Sequence, residues 1–262
     1  SIAENSGSAV TLTATLTGAT SQAVTVSLST SGTGTEGTDY ATISDITISA
    51  GSTTGTASLT PTDDAVYEGS ETAIVAISAV SGGSATENGT QTQTVTITDN
   101  ETAPTVTLTS SASSIAENSG SSLTLTATLS VATTANVTVS LGVSGVTESG
   151  NDISTVSDIV VSAGNTTGTA TFTPIDNGFY DGDLTATIDI TGVSGGSASE
   201  NGTQQISLSL TDNENAPKVT LSSDVTSITE DSSGTITLTA TLSVTTTATV
   251  TVALGTSGTS IE

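Results

Sequence analysis

Nine residues, Asp63-Asp64-Ala65-Val66-Tyr67-Glu68-Gly69-Ser70-Glu71, gather four carboxylates in a chain otherwise made of threonine, serine, glycine and small aliphatic residues. Lys218 is the only basic residue among 262, and the formal charge is −25. Two carboxylates about 5 Å apart repel by roughly 3 kcal/mol at an effective dielectric near 20. A loop that concentrates them either spreads into water or holds a cation. Hard carboxylate oxygens suit calcium, which takes about six to eight oxygen ligands in flexible geometry. Magnesium suits them less, because it keeps its waters and usually relies on one or two carboxylates plus phosphate.

Other chemistries drop out by composition. The chain has no His, Cys, Met or Trp, so no imidazole or thiolate is present to bind zinc or haem or to act as base or nucleophile. Paired carboxylates could serve a glycosidase. Tyr40, Tyr67, Phe172, Phe179 and Tyr180 are the only aromatic residues, too few to line a sugar cleft, and no enzyme is expected. The negative charge excludes nucleic acid and anionic membrane surfaces as partners. No apolar run approaches the ~20 residues of a membrane span. Absence of cysteine fits an oxidising exterior and is compatible with the cytosol as well.

The acidic stretch belongs to a repeat. Ser1-Ile2-Ala3-Glu4-Asn5 returns as Ser114-Ile115-Ala116-Glu117-Asn118 and again as Ser227-Ile228-Thr229-Glu230-Asp231. Asp99-Asn100-Glu101 returns as Asp212-Asn213-Glu214, and Ala103-Pro104 as Ala216-Pro217. The spacing is 113 residues throughout, the length of a whole domain rather than of a solenoid rung. The Ala-Pro steps mark junctions, since proline stiffens the chain and interrupts a strand ladder. The expected division is one domain at 1–101 lacking its first strand, a complete one at 102–214, and the first half of a third at 215–262. The abrupt beginning and end suggest a piece of something longer.

Within the complete copy, apolar residues alternate with Thr or Ser, the period of strands that bury one face. Seven strands are predicted, at 105–108, 123–129, 137–141, 159–161, 169–172, 186–190 and 206–210, separated by Gly, Ser and Asn clusters. Seven short antiparallel strands in about 110 residues indicate an all-β fold of immunoglobulin-like β-sandwiches, here in tandem and stacked end to end. The Thr-x-Thr rows (Thr11, Thr13, Thr15; Thr124, Thr126, Thr128) are solvent-facing strand residues, because a twisted sheet gives no flat ice-binding face. Asn-x-Ser/Thr sequons at Asn88, Asn100, Asn136, Asn165 and Asn201 are largely what so Asn- and Thr-rich a chain produces by chance.

Strand parity then sorts the loops. If strands alternate in direction, one end of the first copy collects Glu4, Glu36, Asp39, Asp63, Asp64, Glu68, Glu71, Asp99 and Glu101. The other end collects Glu87, with Asp45 near a strand start. Charge displayed only for solubility would not segregate in this way. The second copy keeps Glu117, Asp152, Asp176, Asp181, Asp212 and Glu214. It replaces Asp64 by Asn177 and Glu71 by Leu184, so it should hold fewer ions or hold them less tightly. The third copy offers only Glu230, Asp231 and Glu262, an incomplete set.

Glu4 in the Ala-Glu-Asn-Ser-Gly turn, Gly37-Thr38-Asp39-Tyr40, the Asp63–Glu71 stretch and Asp99-Asn100-Glu101 together resemble the Calx-beta domain. That family occurs in sodium/calcium exchangers and in large bacterial surface proteins. The resemblance spans the full repeat. It implies a sandwich fold and Ca2+ as the bound ion, with Glu4, Asp39, Asp63, Asp64, Glu68 and Asp99 as ligands beside the Val66 carbonyl and Glu101. Asn100 interrupts the family's all-acidic closing run.

Short proline-containing linkers and acidic poles at the junctions point to a mechanical role. Calcium would cancel repulsion and fix successive domains into a stiff rod, the stalk or fibre shaft of an extracellular or cell-surface adhesin. The expected partners are neighbouring repeats and, in a fibre, identical chains. Two alternatives stand beside it: a segment of a self-assembling filament joined through strand edges or donated strands, and a regulatory calcium sensor.

Overall fold

A computed structural model describes residues 1–148 and 151–258; Glu262 lies outside the described residues. In the second copy the alternating pattern forms two facing sheets. One contains Ser114–Ala116, Gln205–Thr211, Leu184–Ser194, Val137–Ser144 and Ile159–Val161 in that spatial order. The other contains Thr167–Phe172, Leu123–Leu129, Thr105–Ser110 and Ser199–Glu200. Both sheets contribute to one core, in which Leu125, Val139, Ile159, Phe172 and Ile188 are fully buried. Burying each such side chain contributes about 1.5–3 kcal/mol, and the intervening Thr and Ser face outward.

The chain is therefore all-β and built of sandwiches. Two of the predicted strands, at 123–129 and 159–161, have their predicted bounds, and the other five extend further. The pairing is not antiparallel throughout. The first strand divides, with Thr105–Ser110 in one sheet and Ser114–Ala116 crossing to the other. There Ser114–Ala116 lies parallel to Gln205–Thr211. Ser199–Glu200 also runs parallel to Thr105–Ser110. A period of two identifies a strand and its buried face but not the direction of its neighbour.

The first copy repeats the five-stranded sheet as Ile2–Ala3, Thr92–Thr98, Glu71–Ser81, Val24–Gly32 and Ile46–Ile48. Opposite it stand only two strands, Val10–Thr15 and Thr54–Leu59. Its core centres on Val24, Tyr40, Ile48, Leu59 and Ala73. In the third copy Val219–Ser223 pairs with Leu238–Leu242, and these strands remain largely exposed.

Two short contacts join the copies. Val66–Tyr67 pairs in parallel with Ala132–Thr133, and Phe179–Tyr180 with Thr245–Thr246. Each partner of the second pair lies 113 residues beyond its counterpart in the first (66 to 179, 132 to 245), so the same pairing recurs at both junctions. No described helix is long and apolar enough to cross a membrane.

Candidate metal centre

Strand register brings the first two acids together. Ile2–Ala3 lies parallel to Thr92–Thr98 with Ala3 opposite Thr98, so the next residues, Glu4 and Asp99, leave the sheet side by side. Glu4 begins a single 3-10 turn that closes at Gly7, whose φ of 61° lies in the left-handed region that glycine accepts without strain. That turn folds Glu4 back to 8% exposure.

Asp99 ties the acidic loop to the end of its strand. Its Oδ2 accepts hydrogen bonds from the backbone N–H groups of Glu68 (2.8 Å) and Gly69 (2.6 Å), and its Oδ1 accepts one from Glu101 (2.8 Å). Burial alone would raise its pKa, but the three N–H donors together outweigh it and hold Asp99 below the ordinary carboxylate value. Asp64 Oδ1 accepts the Val66 N–H at 2.7 Å and turns the loop. Asp39 Oδ2 accepts the Thr35 N–H at 2.5 Å, while the Asp39 carbonyl accepts the Thr62 N–H, placing Asp39 beside the start of the acidic stretch.

Two carboxylate triads result, each with ligand atoms within 4.8 Å of one another: Glu4, Asp99 and Glu101, and Asp39, Glu68 and Glu71. Burial first, then the close approach of the Glu101 carboxylate and the charges of Asp99, Glu101 and Asp64, pushes Glu4 up to about 8. Burial, a hydrogen bond with Asp39 and the charges of Asp39, Glu68 and Asp99 push Glu71 up to about 7. Glu68 is raised by burial and by Asp39, Asp64 and Asp99. Asp64 belongs to neither triad, yet its charge raises Glu4 in one and Glu68 in the other. Asp63 joins neither triad.

The donor set fits a hard divalent cation. Glu4 Oε1 and Glu101 Oε2 are buried with no hydrogen-bond partner, and burying a charged oxygen without compensation is costly. No Lys or Arg is near enough to form an ion pair, since the only one is Lys218 in the third copy.

The second copy reproduces half of this arrangement. Glu117, buried on the equivalent 3-10 turn, joins Asp176 and Glu214 in a single triad. Burial, a hydrogen bond with Glu214 and the charges of Asp212 and Glu214 push Glu117 up to about 7, against a backbone bond from Asn213 that lowers it. Asp212 accepts the N–H groups of Asp181, Gly182 and Glu214 as Asp99 does in the first copy. Asp152 accepts the Thr147 N–H, and Asp181 accepts the Thr247 hydroxyl from the next copy. Where Glu71 would complete a second triad, Leu184 packs against the core.

Some acids counted at the pole do other work. Glu36 accepts the Thr30 hydroxyl and the Ile43 N–H, so both its oxygens are occupied within its loop. Asp183, which the repeat pattern does not single out, accepts the Asp212 N–H. Only its place in Asp181-Gly182-Asp183, beside an expected ligand, could have signalled it.

Residues 1–101 match the family model described as the Calx-beta domain. That match spans 101 of the 262 residues. The 113-residue period carries the same turn, strand ends and acidic loop into the second copy. Domains of that family are structural or binding modules and not enzymes. Among solved structures, the calcium-binding domain CBD12 of CALX1.1 is 17% identical, covering 71% of this chain and 75% of that one, with a TM-score of 0.34. Invasin, a bacterial integrin-binding protein, is 17% identical over 90% of this chain and 43% of that one, TM-score 0.37. The adhesin InvE of Yersinia pseudotuberculosis is 14% identical over 81% and 56%, TM-score 0.32. No curated protein matches the chain.

Proposed function

We propose that these Calx-beta repeats form an extracellular stalk whose junctions are stiffened by calcium. The supporting observation is Glu4: a carboxylate 8% exposed, with one oxygen lacking any partner, facing Asp99 and Glu101. A calcium ion would supply the missing counter-charge. In this reading Glu4, Asp99 and Glu101 hold one ion and Asp39, Glu68 and Glu71 another. Asp63, Asp64 and the Val66 carbonyl belong to the loop that carries Glu68 and Glu71. Glu117, Asp176 and Glu214 hold an ion in the second repeat, supported by Asp212, with Asp152 and Asp181 at its margin.

The repeats divide as 1–101, 102–214 and 215–262, so that each acidic loop lies at a junction. Val66, between Asp64 and Glu68, pairs directly with Ala132 of the next repeat. Ordering the loop around an ion therefore favours the docked arrangement, because a ligand stabilises the state that binds it. Such a rod suits the shaft of a surface adhesin or fibre, with neighbouring repeats and identical chains as its partners.

Calorimetric titration of the chain with calcium, paired with small-angle scattering with and without chelator, tests the proposal. Heat of binding and a stiffer, more extended particle in calcium are expected. Absence of both up to several millimolar calcium would remove the metal from the account. Submicromolar affinity with a change of shape inside one repeat would favour a sensor over a stalk.

A further inference from the structure

Asparagine is followed by glycine at Asn88-Gly89, Asn177-Gly178 and Asn201-Gly202. Glycine has no Cβ, so its backbone nitrogen can approach the preceding side-chain amide closely. The pairs are held differently. Asn88 and Asn201 lie in exposed turns whose glycines have φ of 68° and 67°, and their backbone carbonyls accept the side-chain amides of Gln91 and Gln204. Asn177 is half-buried, and both atoms of its amide are engaged. Its Oδ1 accepts the Phe179 N–H at 2.7 Å, and its Nδ2 donates to Asp181 Oδ2 at 3.4 Å. Asp64 occupies this position in the first repeat and accepts the Val66 N–H at the same 2.7 Å.

We propose that Asn177 is a self-modification site, where spontaneous deamidation gives the second acidic loop the carboxylate that Asp64 gives the first. The Gly178 nitrogen attacks Asn177 Cγ, forming a C–N bond and closing a succinimide ring. The bond from Cγ to Nδ2 breaks, and Nδ2 leaves as ammonia with the proton that the Gly178 N–H gives up. Water then opens the ring, so the sum is amide plus water to acid plus ammonia, with no further reactant. The Phe179 N–H points at the oxygen on which negative charge develops as the ring closes, the role of an oxyanion donor. The same donor polarises Cγ within the ring. Water therefore attacks there and breaks its bond to the Gly178 nitrogen, which yields aspartate. Attack at the backbone carbonyl yields isoaspartate instead.

The product has a seat ready. Aspartate at this position accepts the Phe179 N–H as Asp64 accepts that of Val66, and beside Asp176 it restores the paired acids of Asp63-Asp64. It also replaces the donor that faces Asp181 with a second carboxylate, and like charges repel. The metal-free loop should loosen as the chain ages, while a cation bound there meets one more negatively charged oxygen. That consequence rests on the calcium reading; the deamidation itself does not.

Incubation of the 262-residue chain in chelator at mildly alkaline pH, sampled over time and mapped by mass spectrometry of its peptides, tests the site. In the folded protein Asn177 should convert several-fold faster than Asn88 and Asn201, with release of ammonia. In denaturant all of them should convert at similar rates. The share of aspartate over isoaspartate at Asn177 should be larger in the folded protein than in the unfolded. Gly178→Ala should slow the conversion about tenfold or more, because the added Cβ hinders the approach of the nitrogen. No atom lies within 4 Å of that Cβ, and the φ of Gly178 is outside the left-handed region, so the melting transition should be unchanged. Asn177 that stays an amide, that converts no faster than Asn88 and Asn201 in the folded protein, or that yields isoaspartate alone would overturn the proposal. In a separate arm, Asn177→Asp should bind calcium more tightly than freshly prepared unaltered chain. Failure of that arm with conversion intact counts against the calcium reading and not against deamidation, and absence of conversion leaves the calcium reading intact.

Discussion

Glu4 carries a heavy electrostatic burden. It is buried, lacks a partner for one oxygen, and faces two further carboxylates. Glu4→Gln removes the like charge while keeping the shape. Without metal the variant should be more stable near neutral pH by about 1 kcal/mol or more, because folding no longer requires uptake of a proton that the unfolded form has released. With metal it should lose at least about tenfold in calcium affinity, since an amide offers one neutral oxygen in place of a carboxylate. Calorimetry and thermal melts with and without chelator measure both. The pH dependence follows from the same groups. Glu4, Glu71 and Glu117 are raised from an ordinary 4.5 to about 8, 7 and 7. The folded form therefore binds protons that the unfolded form has already released, and stability falls as pH rises through this window. Asp99 and Asp212 are lowered, so their contribution is present above their ordinary 3.8 and is lost as pH falls below it. Metal-free protein should melt at a higher temperature near about pH 5 than near about pH 8. Saturating calcium should shrink or reverse that difference, because the ion favours the ionised carboxylates.

At the scale of strands and loops, the acids are placed by backbone geometry that side-chain patterns convey only in part. Alternating Val, Leu and Thr locate the strands, and the loops that carry Glu4, Asp39, the Asp63–Glu71 stretch and Asp99 follow from strand order. Which acids meet does not follow. Glu36 and Asp39 are three residues apart in one loop, yet Glu36 is occupied by Thr30 and Ile43 whereas Asp39 reaches Glu68 and Glu71. Asp63 stands outside the triads although its counterpart Asp176 stands inside one, and the spacing of the acids is the same in both copies. The parallel placement of Ile2–Ala3 against Thr92–Thr98, which puts Glu4 beside Asp99, is equally invisible to a period of two. Gly32 shows how tightly the strands hold the site. Its φ is 122°, and a Cβ built there would lie 2.1 Å from the Thr72 carbonyl oxygen, next to Glu71. Gly32→Ala should destabilise the first repeat by about 2 kcal/mol or more through strain and displaced backbone. It should also weaken calcium binding several-fold although no ligand is removed. Chemical denaturation and calcium titration of the same variant test the two effects together.

At the scale of the whole chain, the same short contact recurs 113 residues further on. Val66 and Tyr67 meet Ala132 and Thr133 just as Phe179 and Tyr180 meet Thr245 and Thr246. A two-residue parallel pair is a small contact, and short isolated pairings are marginal in water. The junctions differ in what reinforces that pair. Around the first lie two triads and no hydroxyl bond across the junction among the described residues. Around the second lies one triad, and Thr245 and Thr247 donate hydroxyl bonds to the Gly178 carbonyl and the Asp181 carboxylate. Removing calcium should therefore loosen the first junction more than the second. Spin labels at Thr11→Cys and Thr124→Cys span the first junction, and labels at Thr124→Cys and Thr237→Cys span the second, at equivalent exposed positions. With calcium, both pairs should give narrow distance distributions with the same mean, as one repeated geometry requires. With chelator the first distribution should broaden strongly and the second less. Thr247→Ala should then broaden the second toward the first, since it deletes the hydroxyl that substitutes for the missing triad. Equal broadening at both junctions in the unaltered chain would show that the ions and hydroxyls do not set the stiffness, leaving the short linkers and the backbone pair to do so.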